Sequence, residues 1–420
     1  MNRSLFLIAI FLVSITFLCF KIYKIERERR YLKEDLIELS KIKYGLFNVD
    51  EWKKILAGII SKKIDEFNFD DTNREEMRKK ISDLLYTIVD DFEDRYQENT
   101  SRSFKGFVRG QMASFLGIFA NIRKDIPKFT EQILDFMNDP ANRKAVRDYL
   151  IRKLNAYTDK TFSKMDYATH DETIARNNYH DRQGALEGLS NRVEELETQS
   201  KPYKIALLVV TVVAAIYLLV MAGFSPGEYL LLTFISFVLL STGVLLPMIE
   251  IDARIISMNF SLLGENVLFR DQVLYYKSKS ILEVVELMLT QQRVDVLLVG
   301  ILVFIFSVLF PVSKLLTSVV FIYRENSRQN KVVRFLIFRT GKWSMADVMV
   351  IAIFMSYIGF SGIISEQLKQ IESIAGNVDI LTTNRSSLLS GFFCFTSFAI
   401  LSLLISHKLQ YELKKESGIG

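Results

Sequence analysis

Residues 296–322 read VLLVGILVFIFSVLFPVSKLLTSVVFI, a run with one charged side chain, Lys314. A helix crosses the hydrocarbon layer with roughly 20 apolar residues, so this run is long enough to span. Five others match it: 5–20 (LFLIAIFLVSITFLCF), 205–222, 229–248, 346–364 and 388–406. One such run alone fits a buried core helix. Six in one chain predict an all-α, polytopic membrane protein with about six transmembrane helices and a helical extramembrane domain.

Composition agrees. Half of the 420 residues are hydrophobic, yet 24% are charged, an ordinary fraction for a soluble domain. Apolar and charged residues must therefore be segregated, which excludes a single soluble enzyme and a bundle buried wholly in lipid. The 32 Phe and 17 Tyr exclude disorder. Residues 21–200 carry 33 basic and 33 acidic side chains, and the surplus of +5 lies elsewhere. A charge-neutral half argues against nucleic acid as a partner, because phosphate binding needs a basic surplus. Cys19 and Cys394 both sit in apolar runs, so no disulfide framework or Cys-based zinc site is expected. Three histidines leave little for a His-based metal site.

Loop charge orients the spans. Segment 324–342 carries Arg324, Arg328, Lys331, Arg334, Arg339 and Lys342 against Glu325 alone, which predicts a cytoplasmic loop. Working outward, 249–295 and 365–387 are external, the turn 223–227 and the tail 407–420 are internal, and the N-terminus is cytoplasmic. Residues 1–22 become an uncleaved anchor, since no small-residue cleavage signal precedes KIYKIERERR at 21–30. Domain 23–200 then lies outside. Lys21, Lys24, Arg27, Arg29 and Arg30, with Lys201 and Lys204, oppose that placement. Long domains cross largely regardless of charge, so the 324–342 cluster decides.

Within 23–200 the pattern is helical. Phe104, Phe107, Val108, Met112, Phe115, Leu116 and Phe119 form one stripe at helical spacing, as do Val146, Leu150, Ile151 and Leu154. Pro127 is expected to break a helix, and Asp139–Asn142 to form a turn and helix start. Leu186, Leu189, Val193 and Leu196 form a coiled-coil-like seam leading into the span at 205–222. His170-Asp171-Glu172, with His180-Asp181 nearby, matches no ligand spacing. A solvated helix start capped by Asp171 is the expectation there.

Lys314 is the outstanding chemical feature of the spans. It lies about eight residues inside its span, ~12 Å deep at 1.5 Å per residue. An ammonium at mid-depth costs roughly 2.5–3.5 kcal/mol on insertion scales, so a partner or a wet cavity is expected. Asp347, at the start of the next span, is the candidate partner, with Ser313, Thr317 and Ser344 as hydrogen-bonding neighbours. Pro311 removes a backbone hydrogen bond nearby and can open the helix. Pro247 ends its span, and Trp343 is an interface anchor. Such a polar, loosened spot could serve a lipid headgroup phosphate or a two-state gate; a structural Lys314–Asp347 clamp is the bland alternative. Thr382–Ser387 is expected to cap the last external loop.

Three segments together resemble the paraquat-inducible protein A family of Gram-negative inner-membrane proteins. These are the span ending at Pro247, Pro311-Val-Ser-Lys314-Leu315, and Gly341-Lys342-Trp343-Ser344-Met345-Ala346-Asp347-Val348 after a basic loop. The resemblance covers about 229–406. The anchor, the helical domain and the additional span 205–222 fall outside it. The family's Cys-x-x-Cys zinc ribbons are absent, and one module is present where members often carry two. The resemblance implies the bacterial inner membrane, a mammalian-cell-entry-type periplasmic partner, and movement of membrane lipid between the envelope's membranes.

The expectation is therefore a non-enzymatic component of an envelope lipid-transport system. The spans hold no paired carboxylates and no nucleophile–base spacing. No cofactor is implied, and no nucleotide-binding glycine loop occurs. The alternative is an envelope sensor or assembly scaffold whose external domain binds a partner.

Overall fold

A computed structural model describes residues 3–46, 48–66, 74–100, 109–136, 143–161, 165–221, 223–262, 264–323, 346–374 and 379–416. Among them, six helices are long and apolar enough to cross a membrane. The chain is a multi-pass membrane protein.

The first and second spans are parts of longer helices. α1 (Arg3–Ser40) and α7 (Arg182–Val220) each combine an apolar half with a charged half. They run antiparallel: Tyr217 donates to Ser4 at 3.1 Å, Lys204 pairs with Glu26 at 2.8 Å, and Arg182 donates to the Leu39 carbonyl at 3.1 Å. Outside the apolar zone the two zip together through Leu36 and Leu39 against Ala185, Leu189 and Val193. Asp181 caps α7 by accepting from the Gly184 amide at 3.0 Å.

Between them lies a helical domain, α2 (Val49–Glu66), α3 (Arg74–Thr100), α4 (Arg109–Phe136), α5 (Arg143–Thr161) and the short α6 (Ala168–Arg176). Ile59, Ile81, Ile126, Ile133 and Val146 share its core. Two local expectations need correcting. Pro127 does not break the chain; it sits inside α4, flanked by the buried Ile126 and Phe129. Core packing there offsets the roughly 3 kcal/mol that an interior proline costs. Asp171 is not a cap, because α6 begins at Ala168 and places it within the first turn. Asp166 instead accepts from the Ala168 amide at 2.9 Å. His170 is buried against the rings of Tyr44 and Tyr167. The side chains of the 104–119 stripe, and the turn 139–142, lie outside the described residues.

The remaining spans are α8 (Pro226–Leu245), the run α10 (Val294–Phe304), π turn (Ile305–Leu309) and α11 (Phe310–Tyr323), then α12 (Ala346–Ile374) and α13 (Ser390–Glu416). α8 begins on a full capping box, Ser225 with Glu228. It packs closely on α13, since a Cβ on Gly243 would lie 2.7 Å from the Phe395 nitrogen. Small residues allow such approach where two spans share an interface.

A small sheet, absent from the sequence reading, stands where loops were expected. β1 (Ile249–Leu262) and β2 (Glu265–Lys279) form a long antiparallel hairpin turning at Gly264, φ +82°. The segment expected to cap the last loop is instead β3 (Asp379–Asn384), paired with the other edge of β1 through Ile255–Thr382 and Arg254–Thr383. Ser387–Leu388 (β4) pairs with the start of β1. An exposed edge of β1 would leave backbone donors and acceptors without partners, and β3 supplies them. The hairpin's far half joins the helical domain, where Trp52 meets Phe260 and Phe269. Its near half stands on α1. α9 (Ile281–Leu289), opened by a Ser280–Glu283 capping box, leads into α10.

Sidedness follows from contacts. Tyr323 reaches the Pro226 carbonyl and Lys408 reaches the Leu219 carbonyl, at the same end as Ser4. Glu26, Lys204, Glu250 and Ser390 meet at the opposite end. The helical domain and the sheet therefore share one side of the spans.

Candidate functional site

Lys314 lies one turn into α11 and is only 7% exposed, covered by neighbouring helices. Its Nζ donates to Ser402 Oγ of α13 at 3.2 Å. Tyr229, Thr233 and Ser236 of α8 form the facing wall, with Leu315 and Ser318 of α11 and Ile405 and Ser406 of α13 beside it. Helix periodicity explains the set: Thr233 and Ser236 on α8, and Ser402 and Ser406 on α13, recur at three- and four-residue steps, so each pair shares a face.

The hydroxyls are oriented for a cation. Thr233 donates to the Tyr229 carbonyl at 2.9 Å, Ser236 to the Leu232 carbonyl at 3.0 Å, and Ser406 to the Ser402 carbonyl at 2.6 Å. Their protons are committed to their own helices, leaving oxygen lone pairs facing the cavity. An acceptor-lined wall suits an ammonium with three donors. The cavity measures ≈ 10 Å³, room for about one water molecule. In this conformation a lipid headgroup does not fit.

Pro311 stands three residues before Lys314. Its ring lacks an N–H and crowds the carbonyl four residues back, at Ser307. The π turn Ile305–Leu309 falls on that carbonyl. Ser307 is fully buried, and its hydroxyl has no hydrogen-bond partner among the described residues. The span is thus locally unwound beside its charge, a common setting for π turns at functional positions.

The other sequence-derived positions divide. Thr317 donates to the Ser313 carbonyl at 2.6 Å, and neither side chain lines the cavity. Pro247 separates α8 from β1, and its carbonyl accepts from the Gly391 amide at 3.0 Å, tying the outer ends of α8 and α13. Asp347 lies in the first turn of α12, but its side chain, and residues Trp343 and Ser344, lie outside the described residues. So does the expected Lys314–Asp347 pair. No group of three or more His, Cys, Asp or Glu among the described residues could hold a metal ion.

A second polar centre escaped the sequence reading. Where α1 leaves the apolar zone, Arg29 is 2% exposed and bridges Glu26 (2.9 Å) and Glu250 of β1 (3.3 Å). Glu26 also pairs with Lys204 of α7 and accepts from Ser390 at 3.0 Å. Lys33 meets Asp252 at 3.3 Å, and Arg254 pairs with the same carboxylate. Tyr276 donates to Glu250; burial, reinforced by Glu250, pushes its phenol well above the usual range. The signal was present: Glu26, Arg29 and Lys33 recur at helical spacing, and Glu250, Asp252 and Arg254 at strand spacing. In the sequence, Arg29 and Lys204 counted only as cations flanking the first two spans.

The family model of paraquat-inducible protein A matches residues 271–370. That stretch runs from β2 through α9, α10 and α11 into α12, and carries Pro311, Lys314 and the 341–348 segment. It omits α1, the helical domain, α7, α8, β1 and α13. No curated protein and no solved structure matches the chain.

Proposed function

We propose, with this family match as premise, that the protein is a non-enzymatic component of an envelope lipid-transport system in a bacterial inner membrane. The N-terminus and the basic segment 324–342 face the cytoplasm, and the helical domain and sheet face the periplasm. The bundle passes membrane lipid to or from a periplasmic partner of the mammalian-cell-entry type. The observation that carries the proposal is Lys314, an ammonium buried in an acceptor-lined cavity beside an unwound turn. An ionisable side chain held within a span is costly to place there and marks a functional position by default. Because the cavity admits about one water, it is a closed gate, and lipid passage requires α11 to move away from α8 and α13. The π turn is where that motion is accommodated. α12 supports a route from the bilayer, since none of its most apolar stretch is buried by protein.

The test uses the full chain in vesicles of phosphatidylethanolamine and phosphatidylglycerol carrying a fluorescent phospholipid. Lys314→Met should abolish lipid movement across the bilayer while the protein stays folded. Movement at the wild-type rate in that variant would remove Lys314 from the mechanism.

A second proposal, an envelope sensor or scaffold, is favoured by the helical domain with α1 and α7, which lie outside 271–370. Under it, Lys314→Met would be silent in cells, whereas disruption of the helical domain would not.

A further inference from the structure

The cavity around Lys314 lies between two sets of helices; their outer ends are joined where the Met248 amide donates to the Lys279 carbonyl at 3.1 Å, and each set is also gripped there by a different arginine of α1. The first set is α8 with α13. A Cβ on Gly391 would lie 2.3 Å from the Leu246 carbonyl oxygen, and Leu389 donates to the Met248 carbonyl at 2.9 Å. These helices have no room to slide independently. The chain leaving α8 carries Glu250 within five residues, and α13 begins at Ser390. Arg29 holds Glu250 at 3.3 Å and, through Glu26, Ser390.

The second set is α9 with α10 and α11. A Cβ on Gly300 of α10 would lie 2.8 Å from Met288 Cβ of α9, so these two also pack without slack. Arg30 pairs with Glu283, in the first turn of α9, at 2.5 Å. The ammonium of Lys314 extends from this second set into the hydroxyls of the first.

Consecutive residues of a helix point about 100° apart. Arg29 and Arg30 therefore grip different neighbours, and a rotation or tilt of α1 moves the two grips along different directions. α1 continues to Ser40, zipped to α7, and its end is fastened to the helical domain's approach by Arg182, which donates to the Leu39 and Tyr44 carbonyls.

We propose that Arg29 and Arg30 couple the helical domain to the Lys314 cavity, so that displacement of that domain changes the separation of the two helix sets. The device rests on reading Lys314 as a gate, and it assigns a role to segments that the family match leaves out. Loading the helical domain shifts α1, the two arginines transmit the shift unequally, and the Lys314–Ser402 contact takes up the difference.

A double-variant cycle on the full chain in mixed micelles tests this. Arg30 lies ~6 Å outward of the Glu26–Ser390 level and Ser402 ~18 Å inward, so the sites are ~24 Å apart along the spans. Sites so distant ordinarily have additive effects, to within about twofold in the unfolding constant. Arg30→Ala combined with Ser402→Ala should depart from the product of the single effects by at least about fivefold. Lys62→Ala with Ser402→Ala is the control, since Lys62 pairs with Glu265 at the hairpin tip and touches neither grip; it should stay within twofold. If Arg30→Ala does not fold, Glu283→Gln replaces it, keeping the cap and losing the charge. Additivity in the test pair, or equal departure in the control, overturns the coupling. Because the readout is unfolding, that result leaves lipid movement by the wild-type protein untouched. Loss of the transport proposal through a silent Lys314→Met would, in turn, leave the cycle standing.

Discussion

Lys314 Nζ and Ser402 Oγ, 88 residues apart in the chain, meet at 3.2 Å inside the bundle, the former on a span unwound just before it and the latter on a continuous helix. The contact joins two sets of helices that also meet at their outer ends, Met248 to Lys279, and at their inner ends, Tyr323 to Pro226. Small changes on either side should therefore have readable consequences.

Ser402→Ala removes an acceptor but leaves the other hydroxyl oxygens. Intramembrane hydrogen bonds average about 0.6 kcal/mol, with a maximum near 1.7. The variant should lose stability in that range and retain partial lipid movement, whereas Lys314→Met should lose the movement with little effect on folding. Unfolding in mixed micelles beside the vesicle assay separates the two.

Arg29 bridges Glu26 and Glu250, and its own burial is nearly complete. Arg29→Ala leaves Glu26 with Lys204 and Ser390, and Glu250 with Lys33 and Tyr276, so the cost should sit at the lower end of a broken buried pair, about 3 kcal/mol. Arg29→Lys should rescue little, because the guanidinium bonds Glu26 through Nε and Glu250 through Nη2, a fork that an ammonium does not reproduce. Denaturant midpoints for the two variants would show it.

Gly391→Ala forces a Cβ against the Leu246 carbonyl, and Gly243→Ala forces one against the Phe395 backbone. Each should destabilise by about 1–3 kcal/mol. Gly359, on α12, has nothing within 4 Å of an added Cβ, so Gly359→Ala should be neutral or stabilising. Thermal unfolding of the three variants should separate the first two from the third.

Glu283 supplies a pH test. Burial pushes its carboxyl up, but the Ser280 amide, Arg30 and Lys279 outweigh it and hold the group below the usual carboxylate range. A depressed folded-state value means that its contribution is fully present at neutral pH and is lost as pH falls through that lowered value. Stability of the wild type should therefore fall more steeply on acidification than that of Glu283→Gln. Parallel curves would remove Glu283 as a contributor.

Run length and charge segregation sufficed to find the spans, because hydrocarbon thickness sets a minimum length that few soluble helices satisfy. The seam through Leu189 and Val193 was legible for a similar reason: helical periodicity is local. The hairpin was not. Ile251, Asp252, Ala253, Arg254 and Ile255 are all buried, and bulges shift the register at Ala253 and after Ile255. Covered on both faces and interrupted twice, β1 shows no clean alternation to read. Pro127 misled because its penalty is local and small against the packing around it.

What the residues alone determined was which segments enter the membrane and that one of them brings a charge with it, since transfer of a side chain between water and hydrocarbon depends on the side chain. What only the tertiary structure decided was which charges meet. Arg29 and Glu250 are separated by 221 positions, and Lys314 and Ser402 by 88. An ion pair or hydrogen bond acts through distance in space, and that distance exists only once the helices have packed.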